Sequence, residues 1–581
     1  MRLKKIHRAK LLVIGSAAAF LCVALTGNSG LSQRRPDEEP QKFSGRELDI
    51  DPPDVESMTI KLLEKQTSEG NALLKVRYAR YEKDRIGRAV PIQLEKRQVT
   101  LRDDGEGGDE KADDGVFSAI VDFDLQEFDK QQRLLESAKD KEQLTVPIFK
   151  GREQVAEERM QITDARRLRA GQEFKLFPFF PPFFINASKS LMITDPSVVK
   201  DPSRTFDPCT NTGTPMGKWT FGRLMKEMAN QPLTSVVPST FVRNWLKKWE
   251  SNQLINGFTV QNRQAGILAQ IILPWQIKSG GLTLNLAKAP FKLVAIVNRV
   301  DLRANSVYGG GNAGEARFVF GAVGPNCQPL PFTVIFEYGV PKKGCLAVKA
   351  WGQQWANLSF LPMGSAAYLA ALENITDQFS LANANPAKPN GSALNQLRTN
   401  EIALKSPWEL REFVIKGSHQ LEEDTVKQTP DLTLNNTVTL ANYFNSPGTT
   451  PAILANNYTV PLTFAGNPFR GGSSLTPAGG PGGTHWNAPG INLNARHIFS
   501  LNTCNGCHAG ETATFFLHVN PQVSPAGLSG FLTGENIPDV VQGPAVMHHF
   551  NDLARRATDL STLVNTSCIF QIPFETLRMT H

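Results

Sequence analysis

The residues best placed to do chemistry are Cys504-Asn505-Gly506-Cys507-His508. Cys-x-x-Cys-His is the spacing at which two thiols take up the vinyl groups of a haem and the next residue ligates its iron. In that reading Cys504 and Cys507 form thioethers and His508 is the proximal ligand. The sixth position goes to Met547, or to His518, His548 or His549, or stays open. A distal thioether favours plain electron transfer, and an open site permits ligand or peroxide chemistry. Two other chemistries use the same residue types. Zinc is served by Cys504 and Cys507 with two of His508, His518, His548 and His549, a set whose Cys-x-x-Cys half is regular and whose His half is not. A disulfide or redox-thiol pair needs only Cys504 and Cys507. Seven of the nine histidines lie between His485 and His581, a clustering that iron or zinc explains and bulk composition does not.

Covalent haem attachment happens to exported chains, and the N-terminus reads as an export signal. Arg2, Lys4, Lys5, Arg8 and Lys10 form a basic region ahead of the apolar stretch Leu11 to Leu25, which is short and rich in Ala. Cleavage is expected between Thr26 and Gly30, giving a signal peptide over 1–30, with a retained N-terminal anchor as the alternative. Cys22 lies inside the apolar run and follows Phe20-Leu21, which does not suit a lipoprotein signal. The mature chain is therefore expected outside the cytoplasm, in the periplasm, at the cell surface or secreted, with no membrane span. The whole chain has 62 Lys and Arg against 55 Asp and Glu. Five of those basic residues sit in the signal, so the mature balance is close to neutral. No basic stripe interleaved with aromatics remains to suggest nucleic acid. The remaining partner class is an unidentified redox protein.

Cysteine counting is compatible with this picture. Apart from Cys22 and the pentapeptide, the chain holds Cys209, Cys327, Cys345 and Cys568, an even number suited to disulfides in an oxidising compartment. Cys327 and Cys345 flank the strand-like Phe332 to Tyr338, and a bridge closing that loop would contribute roughly 3 kcal/mol.

The elements that must position these residues follow from pattern and length. A chain of 581 residues exceeds what one core usually serves. Its fold class is expected to be multidomain α+β: an N-terminal β-sandwich, a central mixed α+β domain and a small, mainly helical C-terminal module. Residues 31–53 are polar and Pro-rich and read as a linker. Residues 54–160 show short alternating runs broken by Gly/Asp turns, the pattern of a β-sandwich. The apolar cluster Phe177 to Phe184 is expected to pack between domains. Residues 186–460 mix signals: Ser239 is a candidate N-cap for a helix burying Phe241, Trp245 and Trp249, and Ser365 for one carrying Leu369, Leu372 and Phe379. Phe291 to Val300 and Phe332 to Tyr338 read as strands. Residues 465–490 are rich in Gly and Pro and read as a flexible connection, after which 491–581 forms the tail.

Two resemblances add to this. Leu101 to Phe117, with Asp103-Asp104-Gly105, Gly108-Asp109 and Asp114-Gly115-Val116-Phe117, resembles a loop of immunoglobulin-like modules in exported bacterial proteins, which implies fold more than activity. Its carboxylates, Asp103, Asp104, Asp109, Asp113 and Asp114, are candidate Ca²⁺ ligands, with ordinary turn chemistry as the alternative. The tail resembles the small c-type cytochrome domain through the pentapeptide, the preceding Ile498-Phe499, Ile537-Pro538-Asp539-Val540 and Phe550-x-x-Leu553. Met547 departs from that family, because it falls at the start of the helix expected through Arg555-Arg556 to Leu563.

Two further motifs carry less. Gly309-Gly310-Gly311-Asn312-Ala313-Gly314 matches a dinucleotide fingerprint, yet the strand-like Arg317-Phe318-Val319-Phe320 follows where a helix is required, so it reads as a turn. Glu401, Glu409 and Glu412 with Arg398 and Arg411 read as solvated charges or structural ion pairs rather than acid/base machinery. The expected function is an exported c-type haem protein that transfers electrons. The alternatives are a small-molecule oxidoreductase with a tethered haem acceptor, and a non-enzymatic surface or binding protein whose tail is a zinc or disulfide staple.

Overall fold

The computed structural model describes residues 55–65, 69–78, 88–94, 97–124, 144–150, 153–160, 173–177, 185–303, 312–343, 345–456, 458–476, 485–514 and 517–565. The expected signal, the 31–53 linker, residues 178–184 of the apolar cluster and Cys568 lie outside these residues. The chain divides into two compact units. No helix among the described residues is long and apolar enough to cross a membrane.

In the first unit, alternation builds one six-stranded antiparallel sheet from Val55–Lys65, Glu69–Tyr78, Ala89–Leu94, Arg97–Arg102, Val116–Asp124 and Glu173–Phe177. Leu74, Val76, Leu101 and Phe117 are buried on it. A sandwich needs a second sheet, and these six strands make one. The region expected as 54–160 also reaches beyond the unit, because residues 147–158 belong to the second one. The Asp-rich turn is tied by its own backbone. Asp103 accepts N–H groups from Asp114 and Gly115 at 3.1 and 3.0 Å, and Asp109 accepts from Gly105 at 2.6 Å. Asp103, Asp109 and Asp114 offer oxygens within 4.8 Å of one another. Asp113 turns away to pair with Arg88.

The second unit is built on an antiparallel sheet in the order Leu421–Asp424, Glu409–Ile415, Leu394–Asn400, Pro329–Gly339, Glu315–Val323, Phe291–Arg299 and Met192–Ile193, with Ser474–Leu475 pairing Glu409–Ile415 as an eighth strand. Period-two alternation gives this sheet two chemically different faces. One carries Phe318, Phe320 and Phe336, and Phe221 on the helix Phe221–Ala229 stacks on Phe291 at 4.2 Å and meets Phe320 edge-on at 5.7 Å. The expected Trp stripe belongs to this layer. Pro238 opens the helix Pro238–Leu246 one residue ahead of Ser239, and Phe241, Trp245 and Trp249 are fully buried, each contributing on the order of 1.5–3 kcal/mol. Ser365 caps Ala366–Ser380 as expected, accepting the Tyr368 N–H.

The other face is a charged ladder. Arg317 opposes Glu337 across two strands and Arg398 opposes Glu412 across the next. Ion pairs run Arg317–Glu315 at 2.7 Å, Arg398–Glu337 at 3.2 Å and Arg398–Glu412 at 2.8 Å. A second buried charge group lies on the aromatic face, where Arg411 sits over the Trp249 ring: Glu401 and Glu409 share Arg411, and Arg263 adds a second cation. These charges are structural ion pairs, and they are buried rather than solvated. Burial, with Glu409 adding to it, pushes the Glu401 carboxyl up to about 7 despite Arg411. The Gly-rich run before Arg317 does lead into a strand, Glu315–Val323.

Residues 491–561 fall in this same compact unit, and part of the expected connection is ordered into it: Ser474 pairs Leu410, and Thr476 is buried. The tail is mixed rather than mainly helical. It contains the helix Leu493–Leu501, the turn Cys504–Cys507, a hairpin of Glu535–Asp539 and Gly543–Phe550, and the helix Asp552–Asn565. Met547 therefore lies on a strand, five residues before the final helix begins.

Cys327 is bonded to Cys209. The expected Cys327–Cys345 bridge is excluded by the strand between them: Pro329–Gly339 is 11 residues long and carries the chain about 35 Å away. Cys327 instead sits in the turn before that strand at φ 61°. Lys292 on Phe291–Arg299, two strands over, holds Asp207 at 2.8 Å, two residues before Cys209.

Candidate functional site

Local chemistry fixes the pentapeptide into a single helical turn. Asn492 caps the helix Leu493–Leu501, and Thr503 caps the turn after it, accepting the Gly506 N–H at 3.1 Å and donating to the Ser500 carbonyl at 2.7 Å. Gly506 is required there, because a Cβ would lie 2.1 Å from the Ser500 carbonyl oxygen. Asn505, fully buried, accepts from Trp486 Nε1 at 2.8 Å and donates to the Leu475 carbonyl at 3.0 Å. The two variable positions of the motif are thus its anchors.

Cys504 and Cys507 are both fully buried and not joined to each other. The Cys504 N–H donates to Thr429 Oγ1 at 3.0 Å, and its side chain packs with Trp408, Leu410 and Val426. Cys507 Sγ is 3.6 Å from His518 Nε2, whose other ring nitrogen lies 2.7 Å from Ser529 Oγ. The His508 ring is 5.0 Å from that of Trp408 and 4.4 Å from that of His518. Zinc needs its donors to converge, and no three of the ligand atoms of Cys504, Cys507, His508 and His518 lie within 4.8 Å of one another.

His508 and His518 border a cavity of about 60 Å³ on the charged face of the sheet, lined also by Phe531, Arg299, Arg317 and Arg556. Arg556 is buried, and its Nε and Nη1 have no hydrogen-bond partner. Burial, together with Arg299, pushes its guanidinium down to about 9 against the pull of Asp552. Such a site favours an anion. The residues present fit a haem in their chemistry: two unjoined thiols one turn apart, an imidazole after them, a second imidazole facing it and guanidiniums for carboxylates. The volume holds only about two waters, so an occupant of porphyrin size requires His508 and His518 to part.

The structure brings Cys507, His508 and His518 together. It places Met547, His548 and His549 on the hairpin. Alternation leaves Met547 52% exposed and turns His548 inward. Met547 does not line the cavity. His549 pairs with Asn536 Oδ1 at 2.5 Å. His548 is committed to a second cluster whose other members the motif reading missed: His497, Glu511 and Arg496, with Asp539. The signal for it was present in the histidine count and in the alternation of Met547, His548, His549 and Phe550. No known protein family, curated protein or solved structure matches the chain.

Proposed function

We propose that this chain is an exported c-type haem protein that transfers electrons, with Cys504 and Cys507 as the attachment thiols and His508 and His518 as the imidazoles that would hold the iron. A bound haem supplies an iron that cycles between ferric and ferrous states. The observation that carries this reading is the placement of two buried thiols on one turn with two imidazoles whose rings lie 4.4 Å apart beside a cavity lined by arginines. Asn505, Gly506 and Thr503 hold the turn in register, Ser529 orients His518, and Trp408 shields His508. The Cys209–Cys327 disulfide suits the same oxidising compartment. The zinc reading is disfavoured by the scattered donors.

The test is a haem stain of denatured protein made in a host that attaches haem outside the cytoplasm. Wild type should stain, and Cys504→Ala with Cys507→Ala should not. Equal staining of the two, or none in either, contradicts the assignment.

A further inference from the structure

The histidines that the pentapeptide does not use form a cluster of their own. His497, on the helix Leu493–Leu501, and His548, on the strand Gly543–Phe550, stack with ring centroids 3.8 Å apart and planes 3° from parallel. Each meets a carboxylate. His497 Nδ1 is 2.6 Å from Glu511 Oε2 and 3.9 Å from Asp539 Oδ2, and His548 Nε2 is 3.0 Å from that same Asp539 oxygen. All four residues are buried. The ligand atoms of His497, Asp539 and His548 lie within 4.8 Å of one another. Donors bound to one ion at 2.0–2.2 Å stand about 3 to 3.5 Å apart, which the spacing here approaches without any ion.

Charge points the same way. Facing the cluster are Glu511 and Asp539 with one arginine, Arg496, whose Nη2 is 3.1 Å from Asp539 Oδ2 and which also pairs with Glu511. His485 lies near enough to feel all three, and burial pushes its imidazole down, toward the neutral form. With both imidazoles neutral, as metal ligands must be, two buried carboxylates face one guanidinium, an excess of one negative charge that a bound cation would offset. Burial raises the Asp539 carboxyl, but N–H groups of Gln542 and Val541, His548 and Arg496 outweigh it and hold the group well below its usual range. Glu511 is likewise held down, by His497 and Arg496 against burial.

We propose that His497, His548 and Asp539 form a binding site for one divalent first-row transition ion, with Glu511 orienting His497 and Arg496 orienting the two carboxylates. Two imidazoles with a carboxylate and no sulfur select an ion of borderline to hard character, such as Zn²⁺, Fe²⁺ or Mn²⁺. On binding, each imidazole nitrogen gives up the proton it would donate to its carboxylate and offers its lone pair to the ion, so uptake releases protons. No residue is shared with the Cys504–His508 turn, so this site stands or falls independently of haem.

The test uses the full-length chain from an exporting host. Elemental analysis should find one divalent ion per chain beyond any haem iron, retained in Cys504→Ala with Cys507→Ala and lost in His548→Gln and Asp539→Asn. Substitution in a buried cluster can unfold a chain, so a second measurement leaves the cluster intact. After chelation, Co²⁺ added to the double-cysteine variant should bind at one per chain, with d–d bands, no sulfur charge-transfer band and two hyperfine-shifted imidazole resonances. Failure of that folded variant to take up Co²⁺, or undiminished Co²⁺ uptake in folded His548→Gln, overturns the proposal.

Discussion

The molecule holds two pairs of histidines a few rings apart, and they are built for different company. His508 and His518 are tilted by 52° and sit among Cys507, Ser529, Trp408 and arginines, whereas His497 and His548 lie parallel and each meets a carboxylate. The rings of Phe531 and Phe550 link the two pairs in an unbroken file, through contacts of 5.1, 5.4 and 6.3 Å. The difference teaches that a histidine's role is set by what surrounds its nitrogens. Cationic, sulfur-bearing surroundings suit an anionic, covalently held cofactor, and carboxylates suit a bare metal ion.

The sharpest way to break the comparison is to remove the thiols. Cys504→Ala with Cys507→Ala should abolish all haem that survives denaturation while leaving the metal of the His497 cluster in place, read by haem stain and elemental analysis on one preparation. Loss of both would show that the two regions are one site. A large effect on stability is expected from Cys209→Ala, since that disulfide spans 118 residues. It should cost about 2–5 kcal/mol in denaturant unfolding and leave both sites' chemistry intact.

A smaller effect is expected from Gly506→Ala, whose Cβ meets the Ser500 carbonyl. Destabilisation of roughly 1–3 kcal/mol and a lower haem content should appear together, because the turn and the attachment are one structure. Acid should separate the two pairs as well. Glu511 and Asp539 are held below their ordinary values, so their stabilisation is complete above the unfolded carboxylate range near ~4 and is lost as pH falls below it. Asp539→Asn should flatten that part of the acid-unfolding curve, and His518→Ala should not. The smallest effect belongs to Met547→Ala: a half-exposed strand residue should change stability by less than about 0.5 kcal/mol and leave the haem spectrum alone, whereas His518→Ala should shift it.

The sequence announced these features unevenly. The Ser365 cap and the strands around Phe332 and Arg317 were legible, because each rests on residues near one another in the chain. The Arg317–Glu337–Arg398–Glu412 ladder was not. Its charges meet only through strand register, and local pattern cannot tell a buried charged face from a solvated one. Met547 was misplaced for the same reason that His548 was undervalued. A helical start at Met547 puts both on one surface, whereas the strand that forms sends neighbours to opposite faces. Cys345 looked close to Cys327 only by count, since an extended strand carries the chain farthest per residue.

The central claim is that Cys504 and Cys507 carry a haem. Its most direct test is the intact mass of the denatured, reduced full-length chain from an exporting host, followed by the mass of the peptide containing residues 504–508. The account predicts a mature chain heavier by one haem, with the increment on that peptide. A peptide carrying two unmodified thiols would contradict it.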